Sequence, residues 1–457
     1  SALSYSRLPE RKDLRLKAHE IRMNTIENLD VVLETLAANI RKNGGHVYFA
    51  KDSRAAVKYC LDVARQHQVR RVVKGKSMVS EEIGLNDALV DAGIEVSETD
   101  LGEYIIQLAG ETPSHIIAPA IHKTRHDVGS LFAAKLNIPY EEDPPKLTWI
   151  ARKALRKKFL AADMGTSGCN IACAETGHIT TVSNEGNIRM STTLPKVHMA
   201  FMGMERVAAC LEEHDILLRL LCRGAAAQNM ATYVSYIGGP RQADQADGPQ
   251  AFHLVIVDNG RSRILADPEF REMLCCIRCA ACLNVCPVYA KVGGHSYGYA
   301  YTGPVGAVVT PLLVGINRAR HLCQGETLCG ACQDACAVNI DLPRMLLALR
   351  AKLADGDANW QVSRAGIPEK GIYTLWSWII QNRRVYELFL RLAALGQSLL
   401  PKNRDLIRRL PPPMSGWTRD RDIQPIAKKS FMDRWRSGDL NGLSDNVFGK
   451  ARRSPPE

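Results

Sequence analysis

The chain has 457 residues, 46% hydrophobic and 23% charged, with a net charge of +11 and fourteen cysteines. That length exceeds a single ordinary core and implies roughly two to four domains, and no stretch reaches the ~20 apolar residues a bilayer-spanning helix needs, so the composition excludes a membrane-spanning or disordered chain. From Arg383 onward sixteen Lys and Arg face eight Asp and Glu, a basic tail that suits an acidic partner subunit, an anionic membrane face or nucleic acid without choosing among them.

In chain order, the N-terminus lacks the apolar core of a Sec signal, which sets the expectation of a cytoplasmic protein. Residues 1–42 carry helical spacing and form a helical lead-in that stops at Gly44-Gly45. Short apolar runs then alternate with helical stretches: HVYFA (46–50), RRVVKG (70–75), IEVSETD (94–100) and SHIIAPA (114–120). That alternation predicts a mainly parallel α/β sheet. Beyond Phe159 the texture becomes rich in Gly, Thr, Ser and β-branched residues, predicting strands joined by tight turns, and AFHLVIVDNGR (251–261) reads as a last buried strand.

The predicted divisions are therefore a lead-in (1–42), an α/β domain (43–265), a cysteine-rich unit (266–350), and helices with a basic tail (351–457). GIYTLWSWIIQ in the last segment reads by default as a core helix, against a membrane-surface or partner-facing one. The remainder, with Pro411-Pro412-Pro413, predicts an extended tail that wraps a partner or stays mobile.

Nine of the fourteen cysteines crowd between positions 275 and 336, which fits thiolates held by metal in a reducing compartment better than disulfides. Cys276, Cys279, Cys282 and Cys286, followed by Pro287, match the bacterial ferredoxin ligand run, in which three thiolates grip one cluster and the fourth reaches to another. A second run places Cys329, Cys332 and Cys336 at the last three positions of the same pattern, with Glu326 at the first and Ala337 where Pro usually follows. Three outcomes are open: Cys323 supplies the missing thiolate, Glu326 or another oxygen donor ligates, or the site holds a 3Fe-4S cluster. The reading favours Cys323. By the crossover rule one cluster takes Cys276, Cys279, Cys282 and Cys336, and the other takes Cys286, Cys329, Cys332 and the open ligand. Cys275 is a bystander, and the Gly- and Tyr-rich stretch between the runs is expected to pack against a cluster and exclude water.

These runs, with NGGHVYFA, KSMVSEEIGLN, AETGHITTVSNEGNIRMSTTLPKVHMAFMGMERV and DGPQAFHLVIVDNGRS, resemble the lactate-utilisation protein B family over roughly residues 40–345. The resemblance implies an LUD domain similar to the ribose-phosphate isomerase and CoA-transferase type of α/β fold, an α-helical ferredoxin-like dicluster unit, and electron transfer in L-lactate oxidation to pyruvate within a complex of several subunits. Glu326 and Ala337 depart from the expected run.

Candidate pocket residues are Lys74, Lys76 and Ser77 at the end of a predicted parallel strand, where α/β folds place ligands, with Glu175, Thr176, Asn184, Glu185 and Lys196. Asn184-Glu185-Gly186 reads equally as a hairpin turn, and His198 as a core histidine. No dinucleotide or phosphate loop and no haem motif is present. Lactate gives up two electrons as a hydride equivalent while clusters take one at a time, so a two-electron carrier is expected in a partner. The alternative is an LUD domain that binds and oxidises the substrate itself. The tail has no recognition helix with interleaved aromatics, so nucleic acid is not expected, whereas peripheral contact with the inner face of the cell membrane stays open.

Overall fold

The computed structural model describes residues 5, 8, 11–364, 366–397, 400, 402, 403, 406–412 and 414–437. It divides into two units, residues 1–364 and 365–457.

The first unit is built on ten strands: β1 (His46–Ala50), β2 (Arg71–Lys74), β3 (Glu95–Glu98), β4 (Met164–Gly168), β5 (Ile171–Cys173), β6 (His178–Ser183), β7 (Val197–Gly203), β8 (Val207–Ala208), β9 (Tyr233–Ile237) and β10 (Ala251–Val257). Six form one sheet in the order β1-β10-β7-β4-β2-β3, and every pairing in it is parallel. All seven residues of β7 and six of seven in β10 are buried, as a sheet covered on both faces demands. Crossover helices start at side-chain caps: Asp52 accepts from Ala55 N, and Asp100 from Glu103 N. The Gly- and Thr-rich region forms the predicted strands but divides them: β4 and β7 join the parallel sheet, while β5 and β6 form an antiparallel hairpin in a second sheet, β8-β5-β6-β9.

SHIIAPA is not a strand. His115 Nδ1 accepts from the backbone N–H groups of Ile117 and Ala118, each at 3.0 Å, and this local turn takes the donors a ladder would use. Nor does Asn184-Glu185-Gly186 close a hairpin: it leads from β6 into the helix Asn187–Thr193.

The cysteine-rich unit follows as short 3-10 turns and helices, chiefly Gly303–Val314 and Leu342–Asp355. The lead-in helix Arg11–Glu27 lies against it. Arg15, His19 and Arg22, three and four positions apart on one face, bond to the carbonyls of Gln333 and Cys336, of Val338, and of Glu205, Val207, Leu274 and Cys275 respectively.

Among the described residues of the second unit, the helices Ile367–Gln381 and Arg383–Gly396 leave their apolar side chains largely uncovered: Leu375 is 57% exposed, Trp378 59% and Leu395 70%, so within this unit GIYTLWSWIIQ is not packed as the expected core helix. The expected featureless tail contains a short antiparallel pair (Lys402–Asn403 with Leu406–Ile407) and the helix Phe431–Ser437; residues 438–457 lie outside the described residues. Among the described residues no helix is long and apolar enough to cross a membrane.

His198 lies in β7, fully buried, with Nε2 2.8 Å from Ser167 Oγ, and burial pushes its imidazole down to about 3. It is therefore neutral in the folded chain and titrates near 6.5 once unfolded. Unfolded chains then bind the extra proton as pH falls below 6.5, so stability contributed by this group is present above that pH and lost beneath it. The cost at pH 5 is about 2 kcal/mol relative to pH 7. Denaturant melts of His198→Gln against the parent at both pH values are expected to show a smaller acid loss in the variant.

Candidate functional site

Cys276, Cys279, Cys282 and Cys336 line one small apolar cavity, together with Val305 from the helix between the two runs. Cys336 belongs to the second run, yet it stands with the first three thiols. Burial pushes the Cys279 thiol up to about 12 and Cys336 up to about 11, so holding them as thiolates calls for a cation in the cavity, which iron supplies. The backbone N–H of Arg278 points at Cys276 Sγ (3.4 Å) and that of Ile340 at Cys336 Sγ (3.3 Å), donors that stabilise a thiolate or a cluster sulfur. Gly224, on the helix Leu211–Ala226, is the close wall: a Cβ there would stand 2.9 Å from Cys279 Sγ. Among the described residues no three His, Cys, Asp or Glu side chains converge tightly enough for a single metal ion. Thiols lining the walls of a cavity suit a multi-iron cage, whose ligands bind different irons.

The remaining members form a second group. Cys286 Sγ lies 3.4 Å from Glu326 Oε2, and Tyr297 Oη donates to Glu326 Oε1 at 2.9 Å. The carboxylate is only 9% exposed. Cys332 lies near Cys286 and Glu326, and Cys329, which is exposed, lies near Glu326. Cys323 is the thiol expected to complete this group. It is buried on the helix Arg320–Gly325, its thiol directed to the Ala319 carbonyl at 3.9 Å, with Arg350 the charged group beside it.

The two runs share backbone geometry. Residues on either side of the middle cysteine take left-handed φ in both: Arg278 (57°) and Ala280 (60°) in the first, Leu328 (58°) and Gly330 (84°) in the second. Three of these are not glycine, and each costs about 1–2 kcal/mol in that conformation, so the loop shape is imposed by the ligand pattern rather than by local preference. Glu326 (φ −90°, ψ 150°) takes the extended backbone that Cys276 (φ −62°, ψ 122°) takes in the first run. In sequence position and backbone, Glu326 thus stands where the first run has its first cysteine. Cys275, by contrast, turns its thiol to Met23 Sδ at 3.3 Å.

A larger cavity, about 360 Å³, opens beside the carboxyl ends of β4 and β7 and is lined by Lys76, Ser77, Asn184, Glu185, Arg278 and Tyr301 among others. Four of the predicted pocket residues are therefore together, and four are elsewhere. Lys74 is buried between Glu81 Oε1 and Glu98 Oε1, each 2.7 Å from its Nζ; burial alone would lower its pKa, and the two carboxylates outweigh that and raise it. Glu175 accepts from the backbone N–H of Leu211, and the Thr176 carbonyl accepts from Asn43, so that turn is structural. Lys196 precedes β7 and is exposed at the opposite end of the parallel sheet.

Not foreseen was the ionic network that ties the sheet to the cysteine-rich unit. Arg261 donates to Glu205 Oε2 (2.8 Å) and Glu82 Oε2 (2.7 Å), and Tyr301 Oη donates to the same Glu82 oxygen (2.7 Å). Arg278, inside the first ligand run, reaches Glu205 at 3.5 Å and lies 4.6 Å from the Tyr301 ring centre.

A family model described as the LUD domain matches residues 33–257, and one described as a 4Fe-4S dicluster domain matches residues 272–340. Lactate utilization protein B from Bacillus cereus (strain AH820) is 45% identical over 431 residues, 94% of this chain and 89% of that protein. The protein of the same name from Bacillus thuringiensis (strain Al Hakam) has the same identity and coverage. Among solved structures, a duf162 family protein from Deinococcus radiodurans aligns with 50% of this chain and 98% of its own, at 12% identity and a TM-score of 0.29, too weak a likeness to bear on the fold.

Proposed function

The chain belongs to the lactate utilization protein B family, and from that premise we propose that it is the iron–sulfur electron-transfer subunit of a lactate-oxidising complex, an oxidoreductase component holding two clusters. The single observation that carries this reading is the sorting of the cysteines into two groups that exchange their last members, Cys336 and Cys286. Bound there, iron–sulfur clusters take up and release electrons one at a time.

The chain's own residues make that useful. Cys282 and Cys286 are separated by the 3-10 turn Leu283–Val285, which at ~2 Å per residue sets their backbones about 8 Å apart. Cys332 and Cys336 are spanned by the helix Ala331–Ala335, about 6 Å at helical rise. The two ligand groups are thus neighbours, the arrangement a one-electron relay needs. Val305 and the apolar wall around the first group keep water away, a lever on reduction potential.

For the second group we propose Cys286, Cys329, Cys332 and the Glu326 carboxylate, rather than Cys323, as ligands. Since two-electron chemistry on lactate requires a hydride acceptor, the proposed assignment places that carrier in a partner subunit. Stepwise anaerobic reduction of the purified chain with dithionite tests the reading: two one-electron equivalents per chain are expected, and uptake of none or one contradicts it.

A further inference from the structure

The first thiol group is flanked by guanidinium groups bonded to the backbone that carries its ligands. Arg206 Nη1 donates to the Cys276 carbonyl at 3.0 Å. Arg22 donates to the two carbonyls just before that ligand, from Nη2 to Leu274 at 2.9 Å and from Nε to Cys275 at 3.4 Å. Arg22 is 2% exposed and Arg206 7%, and guanidinium groups keep their charge even when buried. The Glu82 and Glu205 carboxylates are taken up by Arg261 and Arg278. The donors of Arg22 and Arg206 go instead to carbonyls, of Glu205, Val207, Leu274 and Cys275 for the first and of Asn170 and Cys276 for the second. A carbonyl satisfies the donors without cancelling the charge.

The second thiol group is set differently. Arg350 approaches it through the carbonyls of Cys323 and Glu326, each at 2.7 Å, and Cys329 is exposed. Arg15 bonds to the carbonyls of both Cys336 and Gln333 and so serves neither group alone. Backbone donors to sulfur do not separate the groups, since Tyr289 N stands 3.4 Å from Cys286 Sγ as Arg278 N does from Cys276 Sγ. The difference is fixed positive charge held out of water. Adding an electron makes a cluster more anionic, and burial by itself opposes that. Buried cations act the other way, and with little screening each counts for several times more than at a wetted surface.

We propose that Arg22 and Arg206 are positioning residues for electron transfer, which raise the reduction potential of the first cluster and make it the first of the pair to accept an electron. They act through the ligand backbone and touch no reacting atom. The inference rests on the electron-transfer reading, because it requires both clusters in place. It gives the pair a polarity: a single electron shared between them resides at the buried group of Cys276, Cys279, Cys282 and Cys336, not at the group that includes the exposed Cys329.

The test is potentiometric titration of the full chain with its clusters loaded, followed by electron paramagnetic resonance, each signal being assigned by its loss in Cys336→Ala or Cys286→Ala. In the parent chain the first cluster is expected to have the higher midpoint; the reverse order overturns the inference without any arginine variant. Arg206→Gln is expected to move the reduced-to-oxidised ratio of the first cluster about tenfold toward the oxidised form, a midpoint lower by about 59 mV, and to leave the second cluster in place. Arg206→Lys keeps the charge and is expected to stay near the parent, and Arg22→Gln repeats the test from the other side of the ligand. An unmoved first midpoint, an equal shift of both clusters, or a loss in Arg206→Lys as large as in Arg206→Gln overturns the inference. Iron content on the same samples separates the two levels of failure. Two clusters present with these midpoints contradicted sink the inference alone, whereas a parent chain that holds no second cluster sinks the electron-transfer reading and the inference with it.

Discussion

Replacing Cys336 with Ala is expected to abolish the first cluster and spare the second, although Cys336 lies in the second run. Cys286→Ala is expected to do the reverse. The basis is the exchange of last members: Cys336 lines the cavity of Cys276, Cys279 and Cys282, whereas Cys286 stands 3.4 Å from Glu326. Iron should fall from about eight to about four per chain in either variant, so iron content alone does not distinguish them and electron paramagnetic resonance of the reduced proteins must. The signal surviving in Cys336→Ala should match the one lost in Cys286→Ala. If Cys336→Ala instead keeps the signal assigned to Cys276, Cys279 and Cys282, each run holds its own cluster and the exchange is refuted.

The second large effect concerns Glu326. With a carboxylate as fourth ligand, Glu326→Ala should release one iron and convert the second site to a three-iron cluster, visible as a paramagnetic signal in the oxidised protein. Glu326→Cys should keep about eight irons, because the residue already has the backbone of a run's first cysteine. Cys323→Ala should leave iron content unchanged, since that thiol is turned to the Ala319 carbonyl. The opposite pattern, iron lost from Cys323→Ala and retained in Glu326→Ala, would return the fourth position to Cys323.

Much of this was legible in the chain because the relevant signals are local. Ligand spacing within CIRCAACLNVCP is a matter of a few residues, and HVYFA, RRVVKG and AFHLVIVDNGR announce strands by continuous apolar runs that a doubly covered sheet requires. What was hidden depends on topology. Glu82, Glu205 and Arg261 follow β2, β7 and β10 respectively, and only the parallel order of those strands brings their side chains to one end of the sheet. Nor does sequence tell apart Lys74, hydrogen-bonded to two carboxylates, from Lys76, whose Nζ stands 3.9 Å from Glu103. SHIIAPA misled because its composition is strand-like while His115 bonds its own neighbours. The spacing of Arg15, His19 and Arg22 was a readable sign that the lead-in helix has a polar task on one face, and the carbonyls of the cysteine-rich unit, with those of Glu205 and Val207, are that task.

The proposed function requires two adjacent clusters in one chain. Iron and acid-labile sulfide analysis with electron paramagnetic resonance, on anaerobically purified protein before and after dithionite, tests it most directly. About eight irons and matching sulfide, with reduced-state signals broadened by interaction between two clusters, is the expected result. Four irons or fewer, with a single non-interacting signal, would contradict it.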